Sequence, residues 1–230
     1  MKIFNNNISA SVERKAIRKR DGYAKKFGFD DARRYPFTAS PNEVLGKILG
    51  IQNLVHGPWG APLSTKKSIV LGTIRMGYGH YRIAMAGVSC ARAMGFTPYW
   101  LDLLAIPGIT TDVIKRCNHN YSFFSRLSQR SRFFNKYIWE AVTTGEPTLP
   151  GISWFLNTFT FAWPWRFLKT NVKDYKMSEL FRNLHQALPS DMPVLTAHMW
   201  NCMGAVAGGM TNVVDMMFDN WPMAFQLTEG

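Results

Sequence analysis

The residues best suited to chemistry lie in one short turn, Arg75-Met76-Gly77-Tyr78-Gly79-His80. Backbone N–H groups at a glycine turn and at the start of the next helix can bind phosphate. The glycines permit positive φ and close approach of a ligand to the main chain. The histidine can donate to a phosphate oxygen or accept a hydroxyl proton. We predict a substrate- or phosphate-binding site made of Arg75, Gly77, Tyr78, Gly79 and His80, in which His80 is the catalytic candidate.

A structural explanation of this turn stays open beside the functional one. A tight strand-to-helix turn needs small residues, and His80 can simply cap the helix. The turn matches neither the full dinucleotide fingerprint nor the P-loop, since His80, Tyr81 and Arg82 follow Gly79. The coincidence of glycines, a histidine and an arginine after a strand nevertheless favours a ligand site.

Elements with strand and helix periodicity surround the turn. Residues 68–74 form an apolar, β-branched run that is typical of a strand buried on both faces. A helix with a small-residue face follows up to Gly95, and residues 97–103 read as a second strand. The strand–helix–strand pattern recurs later, with strands at residues 193–198 and 211–216 and a Gly/Ala/Met helix between them. We predict an α/β fold with a Rossmann-like parallel sheet and flanking helices.

Two further segments complete the expected organisation. Residues 1–66 read as a basic helical N-terminal extension and linker, in which Ser40-Pro41-Asn42-Glu43 predicts the start of a helix. Residues 67–230 read as the Rossmann-like domain. Residues 110–142 and 152–168 form an aromatic-rich helical insertion within it.

The charge balance predicts an anionic partner. The chain carries a net charge of +12, and residues 1–67 alone hold +8 of it. Basic and aromatic residues alternate between Lys115 and Lys136 without a single acid. This composition suits a membrane interface, and no nucleic-acid-binding module is recognisable. A packed core with a solvated basic face is the competing explanation. The predicted membrane-surface residues are Lys115, Arg116, Arg126, Arg130, Arg132, Trp163, Trp165 and Arg166.

Other classes of protein are disfavoured by the sequence. The three cysteines, Cys90, Cys117 and Cys202, lie far apart and form no CxxC pair, which argues against a disulfide framework and a zinc site. The N-terminus lacks the apolar run of a signal peptide. Prolines and polar residues interrupt the uncharged stretch at residues 147–165, which argues against a spanning helix. We therefore expect a cytoplasmic protein that can lie on the inner face of a membrane, with no metal and no cofactor.

Several of these segments resemble one known family. The strand at residues 69–73, the Gly77-Tyr78-Gly79-His80 loop with Ala84 four positions on, and the second strand ending in Asp102 look like the N-terminal domain of GT-B glycosyltransferases. The similarity is to the monogalactosyl- and diglucosyl-diacylglycerol synthase group, and more distantly to the MurG type. Residues 194–198 and 213–215 resemble later strands of that domain, which end in His and Asp.

The resemblance implies an enzymatic function in which one domain binds the acceptor and another binds the donor. It implies the N-terminal, acceptor-binding half of an enzyme that moves a sugar from a nucleotide-sugar donor to a lipid or other acceptor. His80 and Asp215 are then the catalytic candidates, and His198 a further binding candidate. The family binds the donor mainly through a C-terminal Rossmann domain, which we expect to be missing from this chain. Two alternatives stay open: a non-catalytic domain that binds a phosphorylated ligand or an anionic membrane, and a dinucleotide-dependent oxidoreductase.

Overall fold

The computed structural model describes residues 2–3, 6–75, 78–139, 172–173 and 175–216. A two-stranded antiparallel ribbon opens this part of the chain, and the other strands form one six-stranded sheet. The strands are β1 (Lys2–Ile3), β2 (Asn6–Asn7), β3 (Phe37–Pro41), β4 (Gln52–His56), β5 (Ser68–Thr73), β6 (Thr97–Asp102), β7 (Val194–Thr196) and β8 (Val213–Asp215).

Helices cover both faces of the sheet. They are α1 (Ala10–Phe27), α2 (Gly46–Leu49), α3 (Tyr78–Ala93), α4 (Ile109–Arg130), α5 (Arg132–Phe134), α6 (Arg182–His185) and α7 (Met199–Ala207). A π-helical turn, Asn135–Trp139, follows α5, and a 3-10 turn, Glu179–Phe181, precedes α6. Residues 175–185 are therefore helical but divided into short pieces.

The sheet is mostly parallel, with the order β3-β4-β6-β5-β7-β8. Only β3 runs antiparallel to its neighbour, β4, while the four remaining pairs are parallel. The predicted strand–helix–strand unit is confirmed as β5, α3 and β6. The chain turns to one side of β5 to form β6 and to the other side to form β7 and β8. This arrangement is consistent with a Rossmann-like fold, and it places the topological switch point, called the crevice below, at the carboxyl ends of β5 and β7.

The structure corrects the prediction for residues 37–56. The helix expected after Ser40 covers only Gly46–Leu49, and the strands β3 and β4 lie on either side of it. Ser40 and Pro41, predicted as the N-cap and the first helical residue, are instead the last residues of β3, and the side-chain oxygen of Asn42 accepts from the N–H groups of Val44 and Leu45 in the turn before the helix. Gly50, at φ 60°, ends the helix after one turn. The sheet consequently extends across the boundary that we placed at residues 66 and 67.

Successive residues of the central strands face two separate cores. Val70 and Ile74 belong to a large cluster shared with α4 and the segment around α6. Leu71 belongs to a smaller cluster with Ala84 and Val88 of α3. Helix α3 therefore lies on one face of the sheet, and α4 on the other. Side chains from the end of α1, including Tyr23, pack against the larger cluster.

Polar contacts hold the N-terminal helix against the rest of the fold. Arg20 on α1 forms an ion pair with Glu179, which Lys176 also contacts at 2.7 Å. The Asn183 amide donates to the carbonyl oxygen of Asp30 at 2.8 Å. The basic segment is therefore attached to the sheet domain, although most of its cations remain exposed.

Candidate functional site

The strand order brings four chemically active side chains to one edge of the sheet. His80 lies in the first turn of α3, directly after β5, and His198 caps α7, directly after β7. Asp102 and Asp215 are the last residues of β6 and β8. Because neighbouring parallel strands end at the same edge, segments far apart in sequence meet at the crevice.

The two histidines are in direct contact. Their ring centroids lie 4.9 Å apart in an edge-to-face arrangement. Nδ1 of His80 lies 2.9 Å from the carbonyl oxygen of Ala197. A carbonyl oxygen can only accept, so Nδ1 of His80 carries a proton and donates it to this bond. In the neutral ring, the lone pair then resides on Nε2, which is the atom able to accept a proton.

His198 has the opposite tautomer. The backbone N–H of Trp200 donates to Nδ1 of His198 at 3.2 Å, so the ring proton lies on Nε2. Burial lowers the pKa of His198 to about 3, and the nearby charge of His80 adds to the shift. The ring is therefore neutral near pH 7. His198 is a hydrogen-bond donor through Nε2 rather than a cation.

Asp215 places a carboxylate beside this pair. Thr196 Oγ1 donates to Oδ1 of Asp215, whereas Oδ2 is buried and has no hydrogen-bond partner within the described residues. Burial raises the pKa of Asp215, and the Thr196 hydrogen bond and the charge of His80 oppose that shift. A buried carboxylate oxygen without a partner is costly, which is a reason to expect a donor from a ligand at this position.

Arg75 and Asp102 form an ion pair on the β6 side of the crevice. Arg75 Nε lies 2.5 Å from Asp102 Oδ2, and the N–H of Leu104 donates to the other carboxylate oxygen at 2.9 Å. Burial raises the pKa of Asp102, while the Leu104 N–H and the Arg75 charge oppose the shift. The Arg75 side chain is more than half exposed. It can therefore contact an anion without leaving Asp102.

Two polar residues, Thr73 and Asn201, are in contact next to the crevice. Asn201 on α7 donates to the carbonyl oxygen of Thr73 at 3.0 Å. This approach requires a glycine at position 72, since a Cβ there would lie 2.9 Å from Asn201 Cγ. Thr73 Oγ1 and Asn201 Oδ1 are both buried and lack hydrogen-bond partners among the described residues. Two buried polar atoms therefore lie unsatisfied next to the ends of β5 and α7.

The structure brings some of the predicted residues together and leaves others aside. Arg75, His80, His198 and Asp215 all lie at the carboxyl edge of the sheet. Gly77 falls outside the described residues, and Tyr78 is the first residue of α3. Gly79 is helical and does not use the positive φ that glycine permits. A Cβ at that position would meet nothing within 4 Å, so Gly79 leaves open space.

The predicted membrane-surface cations lie on α4 and at the start of α5, and each is exposed: Lys115, Arg116, Arg126, Arg130 and Arg132. Aromatic side chains near them are exposed as well, including Phe123 at 58% and Phe133 at 68%. The remaining predicted members, Trp163, Trp165 and Arg166, fall outside the described residues.

Sequence reasoning missed part of the crevice. Thr73, Thr196 and Asn201 were not predicted, and Asp102 was noted without a role. Their positions could have identified three of these residues, because Thr73, Asp102 and Thr196 are each the last residue of a strand. Nothing local marks Asn201, whose contact with Thr73 depends on how α7 packs.

The fold and the crevice define an α/β protein with a polar site at the carboxyl ends of a mostly parallel sheet. The chain belongs to the DUF6937 family, a domain of unknown function whose model matches residues 2–230. No curated protein and no solved structure is significantly similar to it. Within the described residues, no cluster of histidine, cysteine and acidic side chains fits a metal ion. None of the described helices combines the length and apolar character needed to cross a membrane.

Proposed function

We propose that this chain forms the sugar-acceptor half of a GT-B-type glycosyltransferase that works at a membrane surface. The observation that carries the proposal is the hydrogen bond from His80 Nδ1 to the Ala197 carbonyl oxygen. It leaves Nε2 of the neutral ring as a proton acceptor at the carboxyl edge of the sheet, where α/β proteins bind their ligands. The sheet order and the resemblance of the His80 loop to the GT-B family support the same interpretation.

The proposed step is a displacement at the anomeric carbon of a nucleotide sugar. The hydroxyl proton of the acceptor moves to His80 Nε2, and the hydroxyl oxygen forms a bond to the anomeric carbon. The bond between that carbon and the nucleoside diphosphate breaks, and the diphosphate leaves with the electron pair. The Asp215 carboxylate stabilises the imidazolium, since opposite charges favour the protonated ring. By analogy with the GT-B family, we propose that a second Rossmann domain holds the donor nucleotide.

Replacing His80 tests this role. In the full-length gene product, His80→Ala should lower sugar transfer by about 100-fold or more, because a positioned general base contributes on that scale. The assay follows labelled sugar from UDP-glucose, UDP-galactose and UDP-N-acetylglucosamine into lipid-extractable product. His119→Ala is the matched control, since His119 is an exposed histidine on α4. Transfer that survives His80→Ala, or a wild-type protein that uses none of these donors, contradicts the proposal.

A second candidate function is non-catalytic binding of a phosphorylated ligand. The observation in its favour is the exposed Arg75 guanidinium beside the open space at Gly79, at the start of α3. A cation next to a helix N-terminus suits a phosphate group. Binding of a nucleoside diphosphate that is lost in Arg75→Gln, without any turnover of nucleotide sugars, would favour this second function.

A further inference from the structure

A groove between α1 and α4 concentrates positive charge away from the histidine crevice. Its volume is about 400 Å³, within the range of about 300–1,000 Å³ that is usual for small-molecule sites. Four cations and two neutral polar residues line it: Arg18, Lys19, Lys26, Arg116, Tyr23 and Asn120. Helix α4 covers the sheet face opposite α3, so the groove lies on the other side of the sheet from the helix that carries His80.

Among the described residues, no carboxylate lines this groove. The acids on the same two helices are Glu13, Asp21 and Asp112, and Asp21 is held by Arg20 at 2.7 Å. In the described part of the chain, no ion pair involves Arg18, Lys26 or Arg116. Arg18, Lys26 and Arg116 therefore repel one another without a counter-charge from the described residues. A bound anion relieves that repulsion.

The groove also has a defined shape, which a basic surface that is only solvated does not require. Tyr23 packs its ring against the large core and lies 5.9 Å from the Phe27 ring, which fixes one wall. Gly22 lines the same groove in the middle of α1, and a Cβ there would meet nothing within 4 Å. Glycine in a helix interior is destabilising by roughly 0.5–1 kcal/mol relative to alanine. Its presence keeps the groove open.

We propose that the α1–α4 groove binds a phosphate ester that carries at least two negative charges. Arg18 and Arg116 come from opposite walls and can each make paired hydrogen bonds to phosphate oxygens. Lys19 and Lys26 supply further charge, and Tyr23 and Asn120 supply neutral hydrogen-bond donors. A soluble phosphorylated compound and a lipid phosphate headgroup present the same chemistry, and the experiment separates them. The proposal does not depend on sugar transfer at His80.

The test compares two double variants with equal loss of charge. Arg18→Gln with Arg116→Gln removes both groove arginines. Lys25→Gln with Lys115→Gln removes two exposed lysines that do not line the groove, although they are the chain neighbours of Lys26 and Arg116. Binding is measured by calorimetry with sodium pyrophosphate, and by co-sedimentation with phosphatidic acid vesicles and with phosphatidylcholine vesicles. Circular dichroism verifies that both variants fold.

We expect the arginine variant to bind at least about tenfold more weakly, because hydrogen bonds to charged groups contribute about 1.5–3 kcal/mol each. The lysine variant should lose less than about threefold, as expected for screened surface charge. Selective loss towards pyrophosphate identifies a soluble ligand, whereas selective loss towards phosphatidic acid vesicles alone identifies a lipid headgroup. Equal losses in the two variants, or no binding of either probe by the wild type, overturn the proposal.

Discussion

At the scale of single residues, the two touching histidines have complementary hydrogen-bonding roles. The Ala197 carbonyl holds the proton of His80 on Nδ1, and the Trp200 N–H holds the proton of His198 on Nε2. With these two tautomers, the pair presents one Nε2 with a lone pair and one Nε2 with a proton. Two rings with the same tautomer would instead present two lone pairs or two protons. A hydroxyl group fits such a pair because it can donate to one ring and accept from the other.

The buried histidine of α6 makes stability depend on pH. His185 is fully buried, and this burial lowers its pKa to about 4 despite the hydrogen bond from its Nδ1 to the Phe181 carbonyl oxygen at 3.0 Å. Between about pH 6.5 and about pH 4, the unfolded chain binds a proton at this residue and the folded chain does not. Stability is therefore lost as the pH falls through that window. The contribution of this residue is on the order of 3 kcal/mol.

Urea unfolding at several pH values checks this prediction. His185→Gln cannot titrate, so its free energy of unfolding should fall less between about pH 7 and about pH 4 than that of the wild type. The comparison is between the two pH slopes, so a constant destabilisation of the variant does not matter. Equal slopes would show that His185 does not stay neutral in the folded protein.

At the scale of elements, α7 packs closely on α6 because of glycines. A Cβ at Gly204 would lie 2.7 Å from His185 Cε1 and 3.0 Å from Phe181 Cβ. We expect Gly204→Ala to lower the free energy of unfolding by about 1–3 kcal/mol, since the two helices must move apart. Gly22→Ala, in the open middle of α1, should instead stabilise by roughly 0.5–1 kcal/mol. Chemical denaturation of both variants tests this contrast, which fails if the two changes have the same sign.

The sequence predicts the central elements well because their signals are local. The apolar run of β5, the glycines before α3 and the small-residue face of that helix all lie within one short stretch. The segment before Gly57 is different. Asn42 forms a turn before the one-turn helix α2, but β3 and β4 form by pairing with each other, and β4 also pairs with β6. Those pairings depend on residues outside the local window, so the local helix signal was misleading.

The same distinction between local signals and long-range pairing applies to the candidate site. His80 was recognisable from the glycines beside it, and Asp215 from its place at the end of a strand. The contact of His80 with His198 arises only because β5 and β7 are neighbours in the sheet. Such adjacency is a property of the topology rather than of any segment. His198 was therefore predicted as a secondary residue, although it lies against the main one.

At the scale of the whole molecule, exposed aromatic residues accompany the basic surface of α4 and α5. Phe123 and Phe133 are 58% and 68% exposed. We expect binding to anionic vesicles to have a salt-sensitive part from the cations and a salt-resistant part from these rings. Replacing both rings, Phe123→Ser with Phe133→Ser, should lower binding at high salt by roughly tenfold, as loss of apolar burial predicts.

Another exposed apolar pair provides the control for this experiment. Val44 and Ile48 are 73% and 72% exposed around α2, away from the basic surface. Val44→Ser with Ile48→Ser should leave co-sedimentation with phosphatidylglycerol vesicles unchanged at high and low salt. Similar losses in the two double variants would mean that general surface apolarity, rather than the α4–α5 surface, accounts for the binding.

The pairing of β5 with β7 also bears on how the protein reaches its native state. Val70 pairs with Val194, so closing this part of the sheet joins regions separated by more than half of the chain. Long-range closure carries an entropic cost and slows folding. His80 and Asp215 stay apart until that step is complete, even if β5, α3 and β6 have already formed. A nascent chain would therefore assemble its candidate site late in folding. A partly folded chain would lack the site, so the site could not react before folding is complete.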